Sequence, residues 1–249
     1  MGVCSRSNAA ELIQAGRVRL NGAVKRNPET PVHLGSDRIE VDGRAAVAAQ
    51  KIYRVLNKPR GAVTTASDEK GRATVYDFLT PISSSPPDAA DGGATDAQTS
   101  WIAPVGRLDK ASEGLLLLTN DSEWAARVLA PGTHLDKTYH VRIGQIVDDR
   151  LLAPLRKGIQ SDGEMLRVQS VSLLRSGEKN SWLEVVLDEG KNRHIRRMLE
   201  ALGVEVLRLV RVAIGPLALG DLAKGASRDL TAVEKAALDR AMSRSRTGS

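Results

Sequence analysis

Gly106-Arg107-Leu108-Asp109 sets a carboxylate between two cations, Arg107 and Lys110, on a loop that leads through Ser112-Glu113-Gly114 into the apolar run Leu115 to Leu118. A carboxylate beside buried structure and near positive charge can be partly desolvated yet stay ionised, as a nucleophile or general base requires. Taken alone, an aspartate at such a place is more often a turn cap. Other chemistries lack their residues. His33, His134, His140 and His194 are scattered, and Cys4 is the only cysteine, which excludes an intramolecular disulfide and a cysteine-based zinc site. Neither a Gly-x-Gly-x-x-Gly turn nor a P-loop occurs, so no metal or cofactor is expected.

The elements that must position these residues can be read from periodicity. Asn8 and Glu11 have the spacing of a capping box ahead of Leu12 and Ile13, with Gly16 as the glycine that ends the helix. Val18 to Leu20 reads as a strand entering an Asn21-Gly22 turn, and Arg38 to Val41 as another ending at Asp42-Gly43. Ala45 to Gln50 reads as a linker. Lys51 to Leu56 reads as a strand broken by the turn Lys58-Pro59-Arg60-Gly61, and Thr74 to Leu79 as a short helical turn. Leu115 to Leu118 is a buried strand, Ser122 caps a helix to Ala130, and Lys137 to Ile143 alternates with Tyr139, Val141 and Ile143 on one face. Asp148 to Lys157 is helical, followed by strands near Leu166 to Leu174 and Ser181 to Leu187. Over Asn192 to Leu202, Ile195, Met198, Leu199 and Leu202 make an apolar helical face, and Arg193, Arg196, Arg197 and Glu200 repeat that spacing on another. Val204 to Val212 is a strand, and Thr231 with Glu234 caps a last helix. The mixture without strict alternation predicts an α+β fold on a mixed, mostly antiparallel sheet flanked by helices.

Composition narrows the partners. The chain has 249 residues, which suits two unequal domains, and 41% are hydrophobic, enough for a core. No run can span a bilayer, and the N-terminus lacks a signal peptide, so a cytoplasmic protein without a membrane partner is expected. The net charge of +6 favours a polyanion. Residues 51 to 80 hold six Lys/Arg against three Asp/Glu, and Lys191 to Arg197 four cations and no acid. Residues 81 to 100 hold three Asp and no cation and read as a flexible insertion, and 243–249 as a disordered tail. Aromatic residues make up only 3%, too few for a single-strand stacking platform spread over several strands.

Gly106-Arg107-Leu108-Asp109, Ser112 and Gly114 through Asp121 closely resemble the signature of the RsuA-type ribosomal RNA pseudouridine synthases. Three further segments resemble that family in its order: Asn57-Lys58-Pro59-Arg60-Gly61, Lys137-Thr138-Tyr139-His140-Val141, and Glu189 through Met198, where His194 replaces the usual glutamine. Arg208, Arg211, Ile214, Gly215 and Leu217 match the strand that follows. Gly2 through Arg6, Ala10 to Ile13, Gly16 to Val18 and Asn21-Gly22 resemble an S4 RNA-binding domain, expected over 1–48 and lacking its first helix. The catalytic domain is then expected over 51–240.

The resemblance implies an isomerase that detaches uracil from C1′ of its ribose, rotates it and rejoins it through C5. Asp109 is the catalytic carboxylate, attacking the sugar or base or removing the 2′ proton of a glycal-type intermediate. Arg196 pairs with Asp109 and keeps it ionised. Tyr139 stacks on the target base and can take the C5 proton. Arg107 and Lys110 flank the carboxylate and suit phosphate. Lys58, Arg60, Arg193 and Arg197 are candidates to hold the backbone around an everted base, and Arg6, Arg17 and Arg19 to hold a nearby RNA stem. The implied partner is ribosomal RNA, 23S in preference to 16S, for a monomer. A non-catalytic S4-type RNA-binding protein would need none of Asp109, Tyr139 and Arg196. A metal-dependent nuclease would want clustered carboxylates, and a Rossmann-type methyltransferase a glycine-rich turn.

Overall fold

The computed structural model describes residues 4–33, 35–46, 50–65, 68, 70–80, 101–133 and 135–244. The expected insertion at 81–100, the centre of the linker, His134 and the final five residues of the tail lie outside them. The chain divides into two compact units, one ending at Ile52 and one that runs Tyr53–Thr80 and resumes at Pro104.

In the first unit α1 (Arg6–Gln14) is followed by β1 (Val18–Leu20), β2 (Ala23–Lys25), β3 (Ile39–Val41) and β4 (Arg44–Ala45), which form an antiparallel sheet in the order β2-β1-β3-β4. The helix starts earlier than the spacing of Asn8 and Glu11 suggests. Ser5 is the cap, and its Oγ accepts from the Asn8 amide at 3.2 Å. The expected glycine stop is present: the Gly16 amide donates to Ile13 O and that of Arg17 to Leu12 O, the paired bonds of a Schellman motif. Both hairpins turn on left-handed pairs, Asn21-Gly22 and Asp42-Gly43.

The second unit holds β5 (Tyr53–Lys58), β6 (Ala103–Val105), β7 (Glu113–Thr119), α2 (Ser122–Leu129), β8 (Lys137–Ile143), α3 (Asp149–Lys157), β9 (Ile159–Ser161), β10 (Glu164–Leu166), β11 (Ser170–Ser176), β12 (Ser181–Leu187), α4 (His194–Glu200), β13 (Val206–Ile214), β14 (Leu217–Ala218), β15 (Ser227–Asp229) and α5 (Ala232–Arg244). Its large sheet has the order β11-β12-β8-β13-β7-β5-β15, and neighbours run antiparallel except β7 beside β13. The predicted α+β class and mixed sheet agree with this architecture. Every residue of β7 is buried, as suits a central strand covered on both faces. Leu115 and Leu117 pack with Trp124 and Val128 of α2 and Leu238 and Met242 of α5. Leu183 and Val185 of β12 lie under Leu155 of α3 and Ile195, Met198 and Leu199 of α4. Among the described residues no helix is long and apolar enough to cross a membrane.

Boundaries differ from the periodicity reading at several points: the strand expected near Leu166 to Leu174 is β10 and β11 with a break between them, and three others differ for a local reason. Asp121, not Ser122, caps α2, since its Oδ1 accepts the Trp124 amide. α4 begins at His194 because Arg193 takes a left-handed backbone, φ 49°. β5 runs on through Lys58 because pairing with β7 continues to Lys58 opposite Gly114. The capping box of α5 forms as expected, with Glu234 accepting the Thr231 amide and Thr231 Oγ1 the Glu234 amide.

The parallel contact of β7 and β13 depends on one glycine. Gly114 has φ 104°, and a Cβ there would lie 2.2 Å from the carbonyl oxygen of Arg211. No rotamer relieves a clash with backbone. Gly114→Ala is therefore expected to destabilise the unit by about 2–4 kcal/mol, combining the conformational penalty with overpacking. The check is the denaturant midpoint; an unchanged midpoint would mean that the two strands can separate at no cost.

Candidate active site

The loop that carries Asp109 is held from beneath by Lys58. This lysine is fully buried at the end of β5, and its ammonium donates to three carbonyls: Ser112 at 2.9 Å, Asp109 at 3.1 Å and Pro59 at 3.2 Å. An ammonium has three donors, so the set is satisfied. Burial pushes the Lys58 pKa down to about 8, against the opposing pull of the Asp109 and Glu113 charges. Two further bonds fix the loop. The Gly61 amide donates to Lys110 O at 2.8 Å, and Thr64 Oγ1 donates to Leu108 O at 2.8 Å. The Ser112 amide closes the turn on Asp109 O at 2.9 Å.

With its backbone pinned, Asp109 presents a half-buried carboxylate that has no hydrogen-bond or ion-pair partner among the described residues. It lines a cavity of about 400 Å³ together with Tyr139 of β8, Arg193, Arg196 of α4 and Arg211 of β13. That size is within the range of small-ligand pockets, roughly 300–1,000 Å³. Leu209 and Ile214 add an apolar lining. The three residues singled out for catalysis thus share one cavity, although 87 positions separate the first from the last.

The expected ion pair between Arg196 and Asp109 does not form. Arg196 donates through Nη2 to Ala111 O at 3.0 Å, which holds the guanidinium back from the carboxylate. Burial lowers its pKa, as do the like charges of Arg193 and Arg60, while Asp109 pulls the other way. Arg196 therefore acts on Asp109 through space and leaves both carboxylate oxygens free. Tyr139 is 9% exposed and fills one wall.

Two residues assigned to RNA backbone are engaged otherwise. Lys58 cannot reach phosphate, because its charge is spent on buried carbonyls. Arg197 bonds Glu164 at 2.9 Å and Ser161 O at 2.8 Å and pairs with Asp162 at 3.3 Å, so it fastens the β9–β10 hairpin to α4. Arg107, Lys110 and Arg193 are exposed, and Arg107 and Arg193 line the cavity. Arg60 is exposed, with a long 3.5 Å bond to Leu207 O. In the first unit Arg6 opens α1, Arg17 forms a bidentate pair with Asp42, and Arg19 donates to Gly22 O.

Sequence reasoning gave no role to Arg211. It is 6% exposed, bonds Leu115 O at 2.7 Å through Nε, and leaves Nη2 buried without a partner at the cavity. Alternation was the available signal. Leu209 faces inward, so Arg211 does too, and a cation at an inward strand position marks a site. Ser112 Oγ and Arg196 Nε are likewise buried and unpartnered beside the cavity. Natural proteins rarely leave such atoms unsatisfied, and their clustering marks a surface prepared for a polar ligand.

Comparison with known proteins shows the family of the chain. The sequence model of the RNA pseudouridylate synthase family matches residues 52–201, and that of the S4 domain residues 1–39. The ribosomal large subunit pseudouridine synthase B of Bacillus subtilis is 38% identical over 232 residues, 92% of this chain and 88% of that protein. An uncharacterized RNA pseudouridine synthase of Aquifex aeolicus is 36% identical over 242 residues, 97% of this chain and 91% of that one. A crystal structure described as a pseudouridylate synthase superposes with a TM-score of 0.63 at 28% identity, covering 95% of each chain.

The buried lysine gives a pH signature. Its folded pKa of about 8 lies below the value near 10.4 of an unfolded chain. Between those values the unfolded state binds the extra proton, so this group makes stability rise with pH across the window, by on the order of 3 kcal/mol. Lys58→Met removes three hydrogen bonds to buried carbonyls and is expected to cost about 2–4 kcal/mol at pH 7. The difference in unfolding free energy between wild type and variant, measured from pH 7 to 10.5, should increase with pH; a flat difference would show that Lys58 is not desolvated.

Proposed function

Because the chain belongs to the RNA pseudouridylate synthase family and is an isomerase acting on RNA, we propose that its substrate is one uridine of large-subunit ribosomal RNA, converted at Asp109. The observation that carries this reading is the unpartnered Asp109 carboxylate on a pinned loop, in a cavity ringed by arginine. The reaction breaks the C1′–N1 bond and makes a C1′–C5 bond. The proton lost from C5 is balanced by one gained at N1, so no electrons enter or leave. Asp109 supplies an ionised oxygen to the ribose, by attack at C1′ or by removal of the 2′ proton, and either step needs that oxygen unblocked. Arg196, bonded to Ala111 O, lines the same cavity and leaves that oxygen unoccupied. Arg211 brings a free donor to the same space for the substrate's polar atoms.

A base can enter only after leaving its stack, at a cost of a few kcal/mol. Arg107, Arg193, Arg60 and Lys110 are exposed near the Asp109 loop and α4, where contacts to flanking phosphates would offset that cost. Tyr139 is the flat surface against which the freed uracil packs. The S4 unit, through Arg17 and Arg19, grips a neighbouring stem. The S4 match and the named large-subunit relative support ribosomal RNA as the substrate. On this reading the enzyme works as a cytoplasmic monomer.

Purified protein incubated with unmodified 16S and 23S transcripts should give one new carbodiimide-dependent reverse-transcription stop, on 23S. Asp109→Asn should give none. A stop of wild-type intensity with the variant would remove Asp109 from the chemistry, and a stop only on 16S would overturn the substrate.

A further inference from the structure

The large sheet has a second charged face, turned away from the cavity. On β8 and β12, Tyr139, Val141, Ile143, Leu183, Val185 and Leu187 are buried, and the residues between them are only partly buried. Alternation sends those intervening side chains to the opposite face. Register then aligns two of them with side chains of the flanking strands: Arg175 of β11 opposite Trp182 of β12, Trp182 opposite Arg142 of β8, and Arg142 opposite Arg208 of β13. The row crosses three strand spacings, about 14 Å. The guanidinium carbons of Arg175 and Arg208 lie 5.2 and 6.0 Å from the centre of the Trp182 ring.

The charge of this row is only partly compensated. Arg208 is held by Glu113, which Lys224 also binds. Glu184 lies 3.5 Å from His140 on the neighbouring strand. Arg142 donates only to the neutral side chain of Asn180, and neither Arg142 nor Arg175 has a carboxylate partner among the described residues. Arg175 and Arg208 are exposed. Arg175, without a carboxylate partner and lying against the indole, and Arg142 beside it suit a phosphodiester backbone with an unpaired base or ribose against the ring.

We propose that the row Arg175-Trp182-Arg142-Arg208 is a second RNA contact, which grips a segment of the substrate RNA remote from the target uridine. The inference rests on the reading that the substrate is a long structured RNA. β8 offers Tyr139 to the cavity and Arg142 to the reverse face, so one RNA can meet both only by passing around the sheet, beyond the reach of a short stem. The row therefore adds affinity for the large RNA and takes no part in the chemistry.

The test measures binding of full-length 23S transcript by the whole protein across a potassium chloride series. The double variant Arg142→Gln, Arg175→Gln should raise Kd about tenfold at roughly 150 mM salt. It should also flatten the log Kd against log salt slope by about 1.4–1.8, the loss of two phosphate contacts at about 0.7–0.9 each. The Arg142→Lys, Arg175→Lys pair should keep the wild-type slope, which a merely structural role would not predict. Crosslinking of wild-type protein to 4-thiouridine-labelled RNA gives a readout independent of variant folding and should label the peptide around 175–184. Unchanged Kd and slope in the glutamine pair, or crosslinks confined to the cavity and the first unit, would overturn the row. Binding through the row with no pseudouridine formed would instead overturn the substrate reading.

Discussion

The site depends on one buried charge. Lys58 carries an ammonium into the end of β5, where no water reaches it, and spends its three donors on carbonyls of two separate turns. A bare charge in such a place would be prohibitive. It is tolerable because every donor is used and the carboxylates of Asp109 and Glu113 are near. What results is a loop with little freedom, so the Asp109 carboxylate can stay without a hydrogen-bond partner and still be placed. Preorganisation here comes from backbone anchoring beneath the acid rather than from a salt bridge across it.

The sheet converts that local anchoring into a cavity. β7 and β13 run parallel and close, with Gly114 against the Arg211 backbone, and this brings the Asp109 loop, which leads into β7, beside Arg211. Antiparallel β8 adds Tyr139, and α4, packed through Ile195, Met198 and Leu199, adds Arg196. Four elements distant in the chain thus contribute one side chain each. The opposite face of the same strands carries the arginine and tryptophan row, so a period of two separates chemistry from a candidate grip on RNA.

Positive charge is divided by task. Lys58, Arg197 and Arg208 are bound to carbonyls or carboxylates and hold turns, the β9–β10 hairpin and the edge of β7 in place. Arg107, Lys110 and Arg193 stay exposed near the carboxylate. Arg196 and Arg211 are intermediate, each bonded once and each retaining a buried unpartnered nitrogen at the cavity. A basic composition alone does not distinguish these groups.

Local physics made much of this molecule legible in its sequence. The Schellman stop at Gly16, the Asn21-Gly22 and Asp42-Gly43 turns, the alternation of β8 and the capping box of α5 are decided by residues a few positions apart, and all were readable. The segment that carries the Asp109 carboxylate was also readable, because its signature is contiguous from Gly106 to Asp121. What each cation does was not readable. Lys58 meets Ser112 across 54 positions, Arg196 meets Ala111 across 85, and Arg211 meets Leu115 across 96. A long side chain can serve solvent, phosphate or a buried carbonyl equally well until folding brings the acceptor near and removes the water, and only the tertiary structure makes that choice.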